Sequence, residues 1–151
     1  LGDLLAKTTL IRREQRRGYI PNFIEAIECI CNNPSSLIVI LDQDDALMSP
    51  NLVERLLDEV AGGADLINGT MFRPCKPSQL YTPTYENARQ NGGGNVWAHM
   101  RAFRKSLFDR VPISYFCSGN GAWFEMVTDY ATMLPLQKKL GLKLLKRAQA
   151  K

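Results

Sequence analysis

The sequence predicts an α/β domain, with a mostly parallel sheet carrying helices on both faces, and three observations lead there. The run Leu37–Leu41 (LIVIL) is apolar without a break, as expected of a strand buried on both faces. Segments with apolar residues at helical spacing precede and follow it, and a second strand-like run comes after the later of the two. The chain has 151 residues, 45% of them hydrophobic, which suits one domain spanning 1–151 that buries its own core.

The elements follow in order. Leu1–Leu10 has no clear period. Ile11–Gly18 (IRREQRRG) holds four arginines, ends in glycine and reads as a loop or frayed helix, either a solvated basic face or an anion site. Pro21–Cys31 places Phe23, Ile24, Ile27, Ile30 and Cys31 on one helical face, with Pro21 suited to a first turn. Asn32–Ser36 breaks that helix before the strand Leu37–Leu41. Ser49 can cap the next helix and Pro50 fits its first position; Leu52, Val53, Leu56, Leu57 and Val60 form the expected inner face, and Gly62–Gly63 ends it. Ala64–Phe72 is a second strand, joined to the first by a crossover expected to be right-handed. Arg73–Gly94 is polar and includes Gly92–Gly94; a loop of that length suggests a function such as a lid. Val96–Phe103 alternates as a strand, Arg104–Val111 suits a short helix, and Tyr115–Phe124 reads as a loop with Gly119 and Gly121. Val127–Leu140 returns to helical spacing, with Pro135 as a kink or break.

The net charge of +4 favours anionic partners. Without an aromatic-basic strand or helix-turn-helix pattern, a nucleotide phosphate fits that charge and nucleic acid is not expected. No apolar run approaches the roughly 20 residues that span a bilayer. The basic tail Lys138–Lys151 puts Leu140, Leu144, Leu145 and Ala148 on one face, fit to dock on the domain or to make peripheral contact with an anionic membrane. Cys29, Cys31, Cys75 and Cys117 lack framework spacing, and His99 is the only histidine, which argues against a Cys/His zinc site and for reduced thiols in a cytoplasmic protein. The chain does not begin with Met, so a fragment or processed chain is expected.

The strand Leu37–Leu41 ends in Asp42-Gln43-Asp44-Asp45. Ligands of open α/β sheets bind at the carboxyl ends of strands, and three carboxylates this close repel one another. A divalent cation, Mg²⁺ or Mn²⁺, relieves that repulsion, using one or two carboxylates together with phosphate oxygens and water. On an extended backbone Asp42 and Asp44 would point the same way. The bland reading, in which one Asp caps the following helix, accounts for Asp45 but poorly for Asp42 and Asp44.

Two families place carboxylates after such a strand. "VILDQDDALMS" superficially resembles the opening motif of haloacid dehalogenases, but Asp45 and Ala46 stand where Gly and Thr are expected. The fuller likeness is to family 2 glycosyltransferases. "RRGYIPNFIEAIE" resembles that family's helix before the central strand, and "VILDQDDALMSPNLVERLLDEV" its strand, Asp-x-Asp-Asp motif and following helix. "GADLINGTMF", "NVWAHMRAFRKSLFDRV" and "WFEMVTDYATMLPL" then look like its next strand, its acceptor-side strand and helix, and the helix opened by an acidic residue. The ordered set covers roughly Arg16–Gln137.

This resemblance implies the Rossmann-like GT-A nucleotide-diphospho-sugar transferase sandwich and inverting transfer from a nucleotide-diphosphate sugar to a saccharide or other hydroxyl acceptor. It implies that Asp44, with Asp42 or Asp45, holds Mn²⁺ or Mg²⁺ at the diphosphate; Asp42 could instead meet the ribose, and Asp45 the substrate. Asp129 would be the general base, its bland alternative being a helix cap. Trp97, His99 and Arg101 alternate on one strand face, where Trp97 could stack on a sugar and His99 or Arg101 could reach the diphosphate or acceptor. Arg16 and Arg17 would lie near the nucleotide. Two departures stand out: the family's first one or two strands have no counterpart before Leu10, and Thr128-Asp129 replaces the common Glu-Asp. A non-catalytic or truncated sugar-nucleotide-binding domain is the alternative these departures leave open.

Overall fold

The computed structural model describes residues 7–69, 97, 100–125 and 128–140. The elements are α1 (Tyr19–Ile30), β1 (Leu37–Ile40), α2 (Leu52–Ala61), β2 (Leu66–Asn68), β3 (Arg101–Arg104), α3 (Lys105–Phe108), a 3-10 turn (Ile113–Phe116) and α4 (Thr128–Leu140). The expected lid segment 73–94 and the tail beyond Leu140 lie outside the described residues, as do the crossover-strand residues 70–72 and His99.

The three described strands are ordered β1-β3-β2, and both pairings are antiparallel. This corrects the expected mostly parallel sheet within the described residues. β1 and β2 do point the same way, joined through α2 as a βαβ unit requires, but β3 runs between them in reverse. The reversal matters for the site. It brings the first residue of β3 to the carboxyl ends of both other strands, with Arg101 in register with Ile40 on β1 and Asn68 on β2.

Helices cover both faces of the sheet, as expected. Alternation along the strands sends Ile38, Ile40, Leu66 and Phe103 to one face, where they join Ile20, Ile24 and Ile27 of α1 and Met133 and Leu136 of α4. Ile67 and Ala102 face the other way, onto Leu56 of α2 with Ala64 and Met100. Phe23 meets Phe103 and Phe108 edge-on, with centroids 6.1 and 6.0 Å apart, so a row of rings fastens α1 to β3 and α3.

Burial departs from the periodicity in places. β1 is half-buried rather than enclosed, with Val39 and Leu41 exposed, because it forms an edge of the described sheet. In α2 only Leu56 is fully buried, while Val53 and Leu57 of the expected inner face are exposed. A short helix on a three-stranded sheet turns a narrower stripe inward than its apolar pattern suggests. Ser49 does help to start α2, since its Oγ accepts the Asn51 backbone N–H at 3.3 Å, although the helix begins at Leu52. α4 runs through Pro135, which is buried.

Arg104 ties the end of β3 to the opposite layer. Its Nε lies 3.2 Å from Asp65 Oδ1, and its Nη2 donates to the Val60 carbonyl at 2.9 Å. Because both ion-pair partners are partly exposed, Arg104→Leu is expected to cost only about 1–2 kcal/mol. Urea unfolding would measure it, and an unchanged midpoint would show that these bonds do not hold α2 to the sheet.

Candidate functional site

The site forms where β1 ends. Asp42 leaves the strand and the chain turns at once: the Asp45 backbone N–H donates to the Asp42 carbonyl at 3.2 Å, closing a turn over Asp42–Asp45. Asp is favoured at the first position of such turns. The backbone there is turned rather than extended, so the extended-strand argument for Asp42 and Asp44 does not apply. Asp42 and Asp45 are half-buried, Asp42 turned toward Arg101, and Asp44 is exposed in the turn.

Asp42 meets Arg101. The side chain is 1% exposed, although arginine is almost never fully buried unless paired. Burial is tolerated because two carboxylates neutralise it. Nη2 donates to both oxygens of Asp42 at 3.2 Å, and Nη1 donates to Oδ1 of Asp129. The planar fork of arginine suits this arrangement, since its two arms reach acceptors lying in different directions. One buried cation thus joins the acidic strand end to the start of α4, 59 residues from one partner and 28 from the other.

Asp129 is the second residue of α4, inside its first turn, where the positive end of the helix favours a carboxylate. The cap reading is therefore off by position. The first-turn backbone is tied by Thr132, whose Oγ1 donates to the carbonyls of Thr128 and Asp129 at 2.9 and 3.2 Å. Asp42 and Asp129 keep 39% and 26% of their side-chain surface, so the pair opens to solvent on one side while the arginine lies beneath.

Other residues singled out by sequence fall elsewhere. Trp97 is fully buried and packs in the same core as Phe103 and Met133, a position that leaves its indole no open face. Arg17 is half-exposed and donates to Glu25 Oε2 at 2.9 Å, and Arg13 pairs with the same carboxylate. Arg17 therefore sits just before α1 and shares one carboxylate of that helix with Arg13. Sequence reasoning missed Tyr19, the first residue of α1, whose hydroxyl feels the charges of both Arg101 and Asp42. Burial, the largest influence, raises its pKa above the usual phenol value; Arg101 lowers it and Asp42 raises it.

Whether the residues suit a divalent cation turns on which carboxylates are open. Among the described residues no three of His, Cys, Asp and Glu are grouped to hold a metal. Asp42 already carries the Arg101 fork on both oxygens, whereas Asp44 is exposed and makes no ion pair among the described residues. This fits a cation held by one or two protein carboxylates and completed by substrate phosphate and water, the usual manner of Mg²⁺.

The family model described as Glycosyl transferase family 2 matches residues 3–129, which include the acidic turn, Arg101 and Asp129. No curated protein and no solved structure matches the chain. Among the described residues no helix is long and apolar enough to cross a membrane.

Proposed function

The chain belongs to glycosyl transferase family 2, and from that premise we propose that it moves a sugar from a nucleotide-diphosphate donor to an acceptor hydroxyl, with inversion and with the help of Mn²⁺ or Mg²⁺. Glycosyl transfer is the chemistry of that family; the donor class, the inversion and the metal are our reading. One observation supports it above the rest: a buried arginine holds the strand-end carboxylate Asp42 and the helix-opening carboxylate Asp129 at one mouth of the domain.

In this reading Asp129 is the general base. The acceptor oxygen attacks the anomeric carbon as its proton passes to Asp129, and the bond from that carbon to the diphosphate breaks, its electron pair leaving with the nucleoside diphosphate. A carboxylate offers about four lone pairs, so the Arg101 bond to Oδ1 leaves acceptor capacity for that proton. Arg101 acts as a positioning residue. By gripping Asp42 and Asp129 together it fixes the separation between donor-side and acceptor-side groups, and small errors in such geometry are costly to rate.

Asp44 would hold the cation from the tip of the turn, with Asp42 beside it, and Asp45 would steady the turn near the donor. A bound cation supplies charge stabilisation for the departing diphosphate.

Titration calorimetry with UDP and GDP, with and without Mn²⁺, tests the reading. Binding of at least one nucleotide should require Mn²⁺, and Asp44→Asn should weaken that binding by about tenfold or more. If neither nucleotide binds with or without the metal, the donor assignment fails.

A further inference from the structure

Between Arg110 and Lys138 the chain carries no lysine, arginine or histidine, although its net charge is +4. The same stretch holds Tyr115, Phe116, Trp123, Phe124 and Tyr130, with Glu125 and Asp129 as its only charged residues. Phe116 is buried, whereas Tyr115, Trp123 and Phe124 are exposed, Trp123 to 37%. A single exposed aromatic needs no explanation. Here the exposed rings lie without cations on the segment that leads into the candidate base, and nothing in the transfer reaction described above uses them.

Trp123 stands on a short, well-bonded ribbon. It pairs with Cys117 in an antiparallel bridge, and the turn between them is closed by its own hydrogen bonds. The Ser118 N–H donates to the Ala122 carbonyl at 2.7 Å, and the Gly121 N–H donates to the Ser118 carbonyl at 2.9 Å. Asn120 Oδ1 accepts the Ala122 N–H at 3.1 Å, while Gly121 supplies a left-handed φ of 81° that glycine adopts without strain. At the base of the ribbon the Phe124 N–H donates to the Phe116 carbonyl at 3.4 Å, and Phe116 shares a core with Met133 and Leu136 of α4. Neighbouring residues of a ribbon point to opposite faces, so Phe124 shares the side of buried Phe116 and Trp123 takes the other. Asp129 follows Trp123 by six residues, which keeps their Cα atoms within about 22 Å even along a fully extended chain.

We propose that the acceptor is a saccharide and that one of its rings stacks on Trp123 while its reacting hydroxyl reaches Asp129. This deepens the transferase reading and rests on it. A pyranose carries C–H bonds on its faces and hydroxyls around its rim, so the negative face of an indole takes the ring while the rim keeps its polar contacts. Asn120 and Glu125, both exposed beside Trp123 in the chain, offer such contacts. Charge selects against the rival acceptor, a lipid phosphate: this stretch would meet its phosphate with two carboxylates and no cation, and like charges brought together cost binding. The bonded turn also fixes the ring in advance, which lowers the entropy lost when a sugar arrives.

Cellotetraose, chitotetraose and maltotetraose serve as probes, each added with Mn²⁺ and whichever of UDP and GDP the native chain binds. Trp97, the other tryptophan, is fully buried, so a shift of indole emission on adding a sugar reports Trp123. At least one of the three should shift that emission to the blue and bind by calorimetry. Trp123→Ala should bind the same sugar about tenfold more weakly with nucleotide affinity unchanged, and Trp123→Phe, which keeps a smaller ring, should recover part of the loss. If the native chain binds a nucleotide but none of the three sugars, or if Trp123→Ala binds the sugar as well as the native chain does, the Trp123 assignment is overturned and the transferase reading stands. Farnesyl phosphate bound in place of the sugars, and lost in Trp123→Ala, overturns the saccharide class. If the native chain binds neither nucleotide, the donor reading fails and the acceptor role of Trp123 falls with it.

Discussion

Replacing Arg101 with leucine is expected to lower stability by about 2–4 kcal/mol, more than any other single change at the site. The side chain is 1% exposed and carries one arm to Asp42 and one to Asp129. Its removal leaves two carboxylates that have lost their shared cation. Breaking a buried ion pair from one side commonly costs about 3–5 kcal/mol, because the partner keeps its desolvation cost without compensation. Here the carboxylates retain 39% and 26% of their side-chain surface, so water recovers part of the loss and the lower figure applies. Leucine fills much of the space left by the arginine stem, which keeps the cavity contribution small. Arg101→Lys separates charge from geometry. An ammonium preserves the charge but lacks the planar fork, so it can serve one carboxylate well and the other poorly. It should recover about half of the lost stability. Urea unfolding of both variants checks this, and an Arg101→Leu midpoint equal to that of the native chain would show that the three-residue bridge does not form in solution.

How much of this was legible in the sequence follows from what each signal measures. Apolar period reads burial, so α1, α2 and α4, and the strands at Leu37 and Leu66, were found close to where they lie. Period does not read strand order or direction. A continuous apolar run suits an enclosed parallel strand, yet β1 is half-exposed at an edge and paired with a reversed neighbour. Local acidity marked Asp42, Asp44 and Asp129 as chemistry, but the alternating strand that singled out Arg101 suggested a ligand contact and could not show that its partners are Asp42 and Asp129. Pairs 28 and 59 residues apart are made by topology, and one sequence alone carries no trace of them. Tyr19 was missed because it reads as an ordinary aromatic at a helix start.

Asp129→Asn is expected to reduce transfer by 10²–10⁴-fold while leaving metal-dependent nucleotide binding nearly intact. The substitution is close to isosteric: the amide oxygen can still accept from Nη1 of Arg101, and the Thr132 bonds that tie the start of α4 run to backbone carbonyls and are untouched. What is lost is a group able to take a proton, and positioned acid–base groups typically contribute 10²–10⁴-fold. The loss should appear in kcat with KM for the donor unchanged, as expected when an interaction is used only in the transition state. A merely structural role would predict otherwise. If Asp129 serves only to neutralise Arg101, the amide weakens that pair, and stability and nucleotide affinity should fall together while the surviving folded protein turns over normally. Transfer assayed with Mn²⁺ and saturating donor, beside calorimetry on the same preparation, separates the two outcomes. Normal turnover by Asp129→Asn would place the base elsewhere. In that case Asp129 remains the counter-charge that makes a buried arginine tolerable, and the search for the base moves to the other groups around the mouth of the site.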